Sequence, residues 1–415
     1  MLSAALRRMM VDTTPLRTSS DFLRLWIGSG ISTFGGTMTS FAVMLQVYTL
    51  THKSLDVGLA SLASVLPGVL FVLLGGSVGD RVDRRKLVLL ATSGQMVVSA
   101  LLAVQAFAAW RTLGAIYALL CVQSLLVVIS APARRTFVPR VLPKDQVRAG
   151  QTLNTLVIRF AEVAGPALGG VLAGWSGLGW CYALDALSFL AALYAVYRLP
   201  PMQPGAIERN QGMLGSVAEG LRFLVTSRAL LGAMLADLSV TVLGVPNALL
   251  PALVSARFGG QPEALGLLMG ATGVGGLLVL FLSGPVRHIR YEGRAIVVAC
   301  IAWGAAVCAF GLSPFLWLSL MFLAFMGALD SILVVMRSTL IQQRTPDELR
   351  GRISSVDYLV GSGGPQLGNL RAGIVGSVLP VSAAIVIGGA STIVAMACVA
   401  RFIPELRRAR ADEDV

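Results

Sequence analysis

Runs of apolar residues long enough to cross a hydrocarbon layer of about 30 Å recur along the whole chain. They fall at 22–50, 57–79, 87–109, 113–131, 148–174, 178–198, 229–254, 263–283, 294–312, 314–337, 353–378 and 380–402. Twelve such runs with short polar connections predict twelve membrane-spanning helices. Helices are expected because lipid offers no partner for backbone N–H and C=O groups, and the two-residue alternation of a membrane barrel is absent. Residues 199–228 interrupt the pattern. Pro200, Pro201 and Pro204 open a linker, after which Val217, Leu221, Leu224 and Val225 share one helical face, with Glu219 and Arg222 elsewhere. That stretch predicts an amphipathic helix on the membrane surface. The chain so divides into a six-helix bundle over 1–198, a linker over 199–228, and a second six-helix bundle with a short tail over 229–415.

The two bundles repeat each other. Gly165-Pro166-Ala167-Leu168-Gly169 in the fifth span matches Gly364-Pro365-Gln366-Leu367-Gly368 in the eleventh, and Arg134 and Pro143 after the fourth match Arg337 and Pro346 after the tenth. The expected fold is an all-α polytopic membrane protein, twelve transmembrane helices in two pseudo-symmetric six-helix bundles. Parallel repeats of six helices are the plan of the major facilitator transporters, which this layout resembles.

Composition agrees and excludes alternatives. The 415 residues are 55% hydrophobic and only 13% charged, about half the charged share of a soluble domain, and mean hydropathy is +0.77. A soluble enzyme, a disordered chain and a disulfide scaffold are ruled out. The net charge of +12 does not point to nucleic acid, because its placement is one-sided. Arg81, Arg84, Arg85 and Lys86, then Arg134, Arg135, Arg140, Lys144 and Arg148, then Arg287, Arg290 and Arg294, then Arg337, Arg344, Arg350 and Arg352 all fall on one side. The positive-inside rule makes that side cytoplasmic. Both termini fall there too, so the expected location is the cytoplasmic (inner) membrane, multi-pass. No cleavable signal is expected, since residues 1–20 lack an apolar core. The five cysteines sit singly in apolar runs and read as small hydrophobes; with His52 and His288 on opposite sides, no metal site is expected. HExxH, GxSxG and Walker sequences are absent, so neither an enzyme nor an ATP-driven pump is expected.

Ionisable side chains inside the spans are costly and therefore informative. Arg159 and Glu162 lie one turn apart and can pair. Asp185 in the sixth span reads as a structural hydrogen-bonding group, and Asp357 as a favourable charge near the start of the eleventh helix. Asp237 and Asp330, in the seventh and tenth spans, are candidate proton carriers, with Glu162 a third. Asp330 stands two turns from Arg337, too far for a direct pair. Arg371, with no acid within one turn, is a candidate substrate contact alongside Arg159, Ser32, Thr33, Gln46 and Gln123. A polar, mostly uncharged cavity suits an amphiphilic solute with several hydrogen-bonding groups.

Six motifs carry a closer resemblance. Gly76-Ser77-Val78-Gly79-Asp80-Arg81-Val82-Asp83-Arg84-Arg85-Lys86 resembles the major facilitator loop between helices 2 and 3. The resemblance implies that Gly76, Asp80, Arg81, Arg84 and Arg85 form a latch that holds the cytoplasmic side onto helix 11. The matching loop of the second half, Ser283 to Arg290, lacks the acid. Gly165, Pro166, Gly169 and Gly170 resemble the helix 5 signature of facilitator antiporters, although Ala161 stands where that signature has glycine. Phe22-Leu23-Arg24-Leu25-Trp26, Ala131-Pro132-Ala133-Arg134-Arg135, Leu184-Asp185-Ala186-Leu187-Ser188-Phe189 and Thr345-Pro346-Asp347-Glu348-Leu349-Arg350-Gly351-Arg352 together resemble the enterobactin-exporter-like branch, which also holds macrolide efflux proteins. Many relatives carry an acid after the helix 1 glycine; here Gly35-Gly36-Thr37 has none.

The resemblance implies helices 1, 4, 7 and 10 around a central cavity, and alternating access between the halves. The expected function is a secondary active exporter, a proton antiporter of an amphiphilic small molecule, with a siderophore first and a multidrug or macrolide-type substrate second. An importer, a lipid flippase and a non-transporting scaffold are lesser readings. No cofactor is expected, since the proton gradient supplies the energy. The expected partners are the bilayer and the solute, and the family implies a monomer.

Overall fold

A computed structural model describes residues 12–73, 83–110, 112–200, 202, 213–281, 291–346 and 349–408. All regular structure among them is helical. The spanning helices are α1 (Ser20–Thr51), α2 (Ser54–Ala63 and Leu66–Leu73), α3 (Arg84–Phe107), α4 (Leu113–Arg135), α5 (Val147–Ser176), α6 (Leu178–Tyr197), α7 (Arg228–Leu238 through Leu250–Arg257), α8 (Pro262–Phe281), α9 (Glu292–Leu312), α10 (Leu316–Arg344), α11 (Arg350–Val378) and α12 (Val381–Phe402). Among the described residues, ten are long and apolar enough to cross a membrane by length and composition. The other two, α1 and α11, have 32 and 29 residues and reach the length. They are rich in glycine, serine and threonine, small residues that let neighbouring helices approach closely.

Local chemistry starts these helices. Ser19 accepts from the Phe22 amide to cap α1, and Asp83 accepts from the amides of Arg85 and Lys86 at 2.8 and 3.2 Å to cap α3. The seventh span is not one continuous helix as expected. It loosens into a π-helical turn at Ser239–Gly244, breaks at Val245-Pro246 and resumes through a short 3-10 turn, Asn247–Leu249. Pro246 has no N–H for the carbonyl of Val242, so the ladder cannot pass through it.

In the first half, α1 packs on α5 and α6, and α3 on α6 and α4. In the second, α10 packs on α8 and α9, α12 on α9, and α11 and α12 on the π turn of α7. The repeat seen in the sequence has a shared packing role. A Cβ at Gly165 of α5 would strike Thr37 of α1, and one at Gly364 of α11 would strike Thr241 of α7. In each half the glycine before the motif proline admits a threonine from that half's first helix.

Two seams join the halves, α5 against α8 and α2 against α11. Both use glycines for close backbone approach at the end of the molecule opposite the chain termini. A Cβ on Gly170 would stand 2.7 Å from the Pro262 carbonyl oxygen, and one on Gly58 2.7 Å from that of Asn369. At the opposite end, Arg135 of α4 lies over the ring of Tyr358 on α11, 5.4 Å from its centroid.

The linker region holds a helix, Met213–Thr226. It docks on the start of α11 through Gly220 and Leu224, and Glu219 pairs with Arg352. Leu221 and Val225 remain exposed, so the expected apolar face is split. One edge packs on protein and the other is free to meet lipid.

Candidate functional site

A cavity of about 460 Å³ lies where helices of both halves meet. Pro166 of α5, Pro246 of α7 and Pro365 of α11 all border it, so the break in α7 and the prolines inside α5 and α11 face the same space. Non-helical backbone is tolerated at membrane depth where it lines such a space. Thr37 and Ser40 come from α1, Arg159 and Glu162 from α5, Thr241 and Asn247 from α7, Thr272 from α8 and Asp330 from α10. Trp303, Met269 and Met326 supply apolar wall.

Arg159 Nη1 meets Glu162 Oε2 at 2.9 Å, so this guanidinium is already neutralised. Asp330 makes no ion pair or side-chain hydrogen bond among the described residues. Arg159, the guanidinium on the same wall, pairs with Glu162 and not with Asp330.

Asp237 does not line the cavity, contrary to its expected place there. It is 9% exposed and pairs with Arg337 of α10. Arg337 Nε also meets Asp357 Oδ1 of α11 at 3.3 Å. The arginine and two carboxylates join α7, α10 and α11 into one buried charged cluster. Asp357 is thus an ion-pair partner as well as an early-helix charge.

Of the uncharged candidates, Ser32 and Thr33 lie one turn short of the cavity. Thr33 donates to the Ser29 carbonyl of its own helix at 2.7 Å. The cavity takes Thr37 and Ser40 instead, and Thr37 also donates across to the Ala161 carbonyl at 3.0 Å. Gln46 is buried away from the cavity, where its Oε1 accepts from Tyr182 Oη at 2.8 Å. Gln123 lines a separate, smaller space of about 160 Å³ between α2, α4 and α11. Arg371 borders neither space. Its Nη2 lies 3.0 Å from where a Cβ would stand on Gly388 of α12, so the side chain packs between α11 and α12. Asp185 Oδ2 accepts from Thr39 at 2.8 Å and Ser99 at 2.7 Å, tying α6 to α1 and α3.

The helix 5 signature works as packing on two faces. Gly165 and Gly169 receive Thr37 and Phe41 of α1, and Gly170 receives the start of α8. Of the latch residues, Gly76, Asp80 and Arg81 lie outside the described residues. Arg84 and Arg85 open α3, and Arg85 Nη2 donates to the Tyr197 carbonyl at 2.5 Å, stacking 5.3 Å from that residue's ring centroid. Arg85 therefore binds the end of α6.

The family model described as transmembrane secretion effector matches residues 11–414. A relative named enterobactin exporter EntS from Citrobacter koseri is 27% identical over 404 residues, covering 97% of this chain and 96% of the relative. An EntS from Shigella boydii serotype 18 is 25% identical over 403 residues, with the same coverage. Among solved structures, the nucleoside transporter NupG superposes with a TM-score of 0.73 at 15% identity, covering 92% of this chain and 98% of that one. A D-xylose-proton symporter gives 0.70 at 13% identity, covering 92% and 98%. At such identities the structures speak for the fold alone.

Proposed function

The chain belongs to the transmembrane secretion effector family of the major facilitator superfamily, and from that premise we propose that it is a proton-coupled exporter of an amphiphilic small molecule. The observation that carries the coupling is Asp330, a carboxylate on the cavity wall without an ion-pair partner among the described residues. In this reading the two bundles rock about the α5–α8 and α2–α11 seams. The seams are tight at the end opposite the termini, which makes that end the closed gate of this conformer. With the basic loops and both termini on the cytoplasmic side, the cavity is loaded from the cytoplasm. Proton entry at Asp330 from outside then favours solute release and the return step. Arg159 and Glu162 stay paired and hold α5 at the cavity without a net charge. The chain works as a monomer, since each cavity is complete within one copy.

The solute to try first is a siderophore, because the named relatives are enterobactin exporters. A multidrug or macrolide-type efflux pump is the second reading, favoured by the apolar wall of Trp303, Met269 and Met326. The coupling is tested in proteoliposomes with an imposed proton gradient. Asp330→Asn is expected to abolish gradient-driven accumulation of solute while sparing exchange between equal pools. Undiminished uphill transport in that variant would remove Asp330 from the coupling role.

A further inference from the structure

We propose that this cavity selects organic cations: its solute carries a positive charge that pairs with Asp330. The inference rests on reading the cavity as the transport site, and of the two solutes proposed for it favours the multidrug or macrolide type over an anionic chelator.

The argument is one of unbalanced charge in a medium that penalises it. Four carboxylates stand in and beside the cavity, those of Glu162, Asp237, Asp330 and Asp357, against two guanidiniums, Arg159 and Arg337. Both guanidiniums are committed. Arg159 is held by Glu162 at 2.9 Å, and Arg337 is shared between Asp237 and Asp357. Each therefore already has a carboxylate at ion-pair distance, and neither makes an ion pair with Asp330 among the described residues. Arg371 does not supply the missing charge, since it packs against Gly388 between α11 and α12 and does not line the cavity.

The rest of the wall suits a positive solute with apolar bulk. Thr37, Ser40, Thr272 and Asn247 are neutral hydrogen-bonding groups, so they neither repel a cation nor compete for Asp330 as a cation of the protein would. Trp303 offers an aromatic ring, and Met269 and Met326 offer polarisable thioethers, groups that accommodate a cation's apolar substituents. The space, about 460 Å³, falls in the range that holds drug-sized ligands. An anionic chelator would meet Asp330 unpaired and would have to draw Arg159 away from Glu162. An amphiphile bearing a protonated amine, or a phosphonium, completes the charge.

Two ions of one shape and opposite sign test this on the full-length protein in detergent. Tetraphenylphosphonium and tetraphenylborate are measured by equilibrium dialysis, with empty micelles subtracted. The expected result is saturable binding of the phosphonium and none of the borate. Asp330→Glu is expected to keep phosphonium binding, and Asp330→Asn to weaken it about tenfold or more. Borate bound as tightly as phosphonium would overturn the proposal. So would phosphonium binding unchanged in an Asp330→Asn protein that elutes as a single species. If that variant does not fold, the wild-type pair of ions still decides. Binding needs no gradient, so this result and the exporter reading can fail separately. A protein that binds the cation but moves no solute sinks only the export; one that exports a neutral solute without binding the cation sinks only the selectivity.

Discussion

Removing Arg337 is expected to be the most damaging single change to the charged interior. The arginine is 7% exposed and Asp237 is 9% exposed, so water screens that contact weakly. Asp357 has a side chain 29% exposed, so its share of the pairing is partly screened. Arg337→Met leaves two carboxylates facing each other with nothing between them. Breaking a buried ion pair by deleting one partner costs about 3–5 kcal/mol, because the remaining charge is left uncompensated. Deleting one acid is milder, since the cluster carries an extra negative charge and one carboxylate still neutralises the arginine. Asp237→Asn removes the deeper partner and is expected to cost about 1–3 kcal/mol, the range for a buried hydrogen-bonded charge. Asp357→Asn, at the wetter position, is expected to cost about 1 kcal/mol or less. The triple change Arg337→Met, Asp237→Asn, Asp357→Asn removes every charge and is expected to regain most of what the single arginine change loses. Unfolding of the purified proteins in mixed micelles by graded SDS measures the series. Equal losses for the arginine and Asp357 changes, or a triple variant no better than Arg337→Met, would refute the account of Arg337 as the neutralising centre.

Two other sites give distinct outcomes. Gly266 of α8 faces the Pro166 carbonyl of α5, and a Cβ there has no room against backbone. Gly266→Val is expected to force the α5–α8 seam apart, so transport is lost while expression is retained, and cysteine pairs across that seam cross-link more slowly than in the parent. Asp185 is fully buried and accepts from Thr39 and Ser99; Asp185→Leu is expected to lower stability by about 3 kcal/mol in the same SDS titration, the cost of two lost hydrogen bonds to a charged group, with solute affinity unchanged in the protein that remains folded.

What was legible in the sequence followed from what a single helix can encode. The spans were legible because each is a long apolar run, and the repeat because glycine and proline recur at matching places. The Arg159–Glu162 pair was legible because both residues lie on one face of one helix. Asp237, Arg337 and Asp357 were not, because they come from three helices and nothing in their spacing says which faces meet. The cavity wall on α1 was misplaced by one turn for a related reason. Thr33, Thr37 and Ser40 share one helical face, and the spacing of polar residues along it does not say at which depth the cavity lies. Gln46 looked like a polar cavity group, and its partner Tyr182 stands in a helix far along the chain. The break in α7 had one local signal, Pro246, which the apolar run around it concealed.

The repeat also shows how one scaffold can carry asymmetric chemistry. The register that aligns Thr37 with Thr241 aligns Thr33 with Asp237, and the repeat aligns Arg134 with Arg337. In the first half Arg134 is satisfied by hydroxyls, Thr92 at 2.6 Å and Ser130 at 3.4 Å. In the second half the corresponding arginine is satisfied by carboxylates from two other helices. A guanidinium held by neutral groups adds a fixed positive charge to its bundle; one held by two carboxylates leaves its bundle with an excess negative charge. Asp330 extends that excess to the cavity wall. The packing glycines and threonines are therefore shared between the halves, while the cavity carboxylate without an ion-pair partner, Asp330, stands in the second half. A rocking motion then changes the surroundings of that charge, because the opposing wall of α1 and α5 offers only hydroxyls and a pair already neutralised. Under the proposed exporter reading, that asymmetry lets a movement of the seam change the surroundings of Asp330 while the charges of the first half at the cavity stay paired.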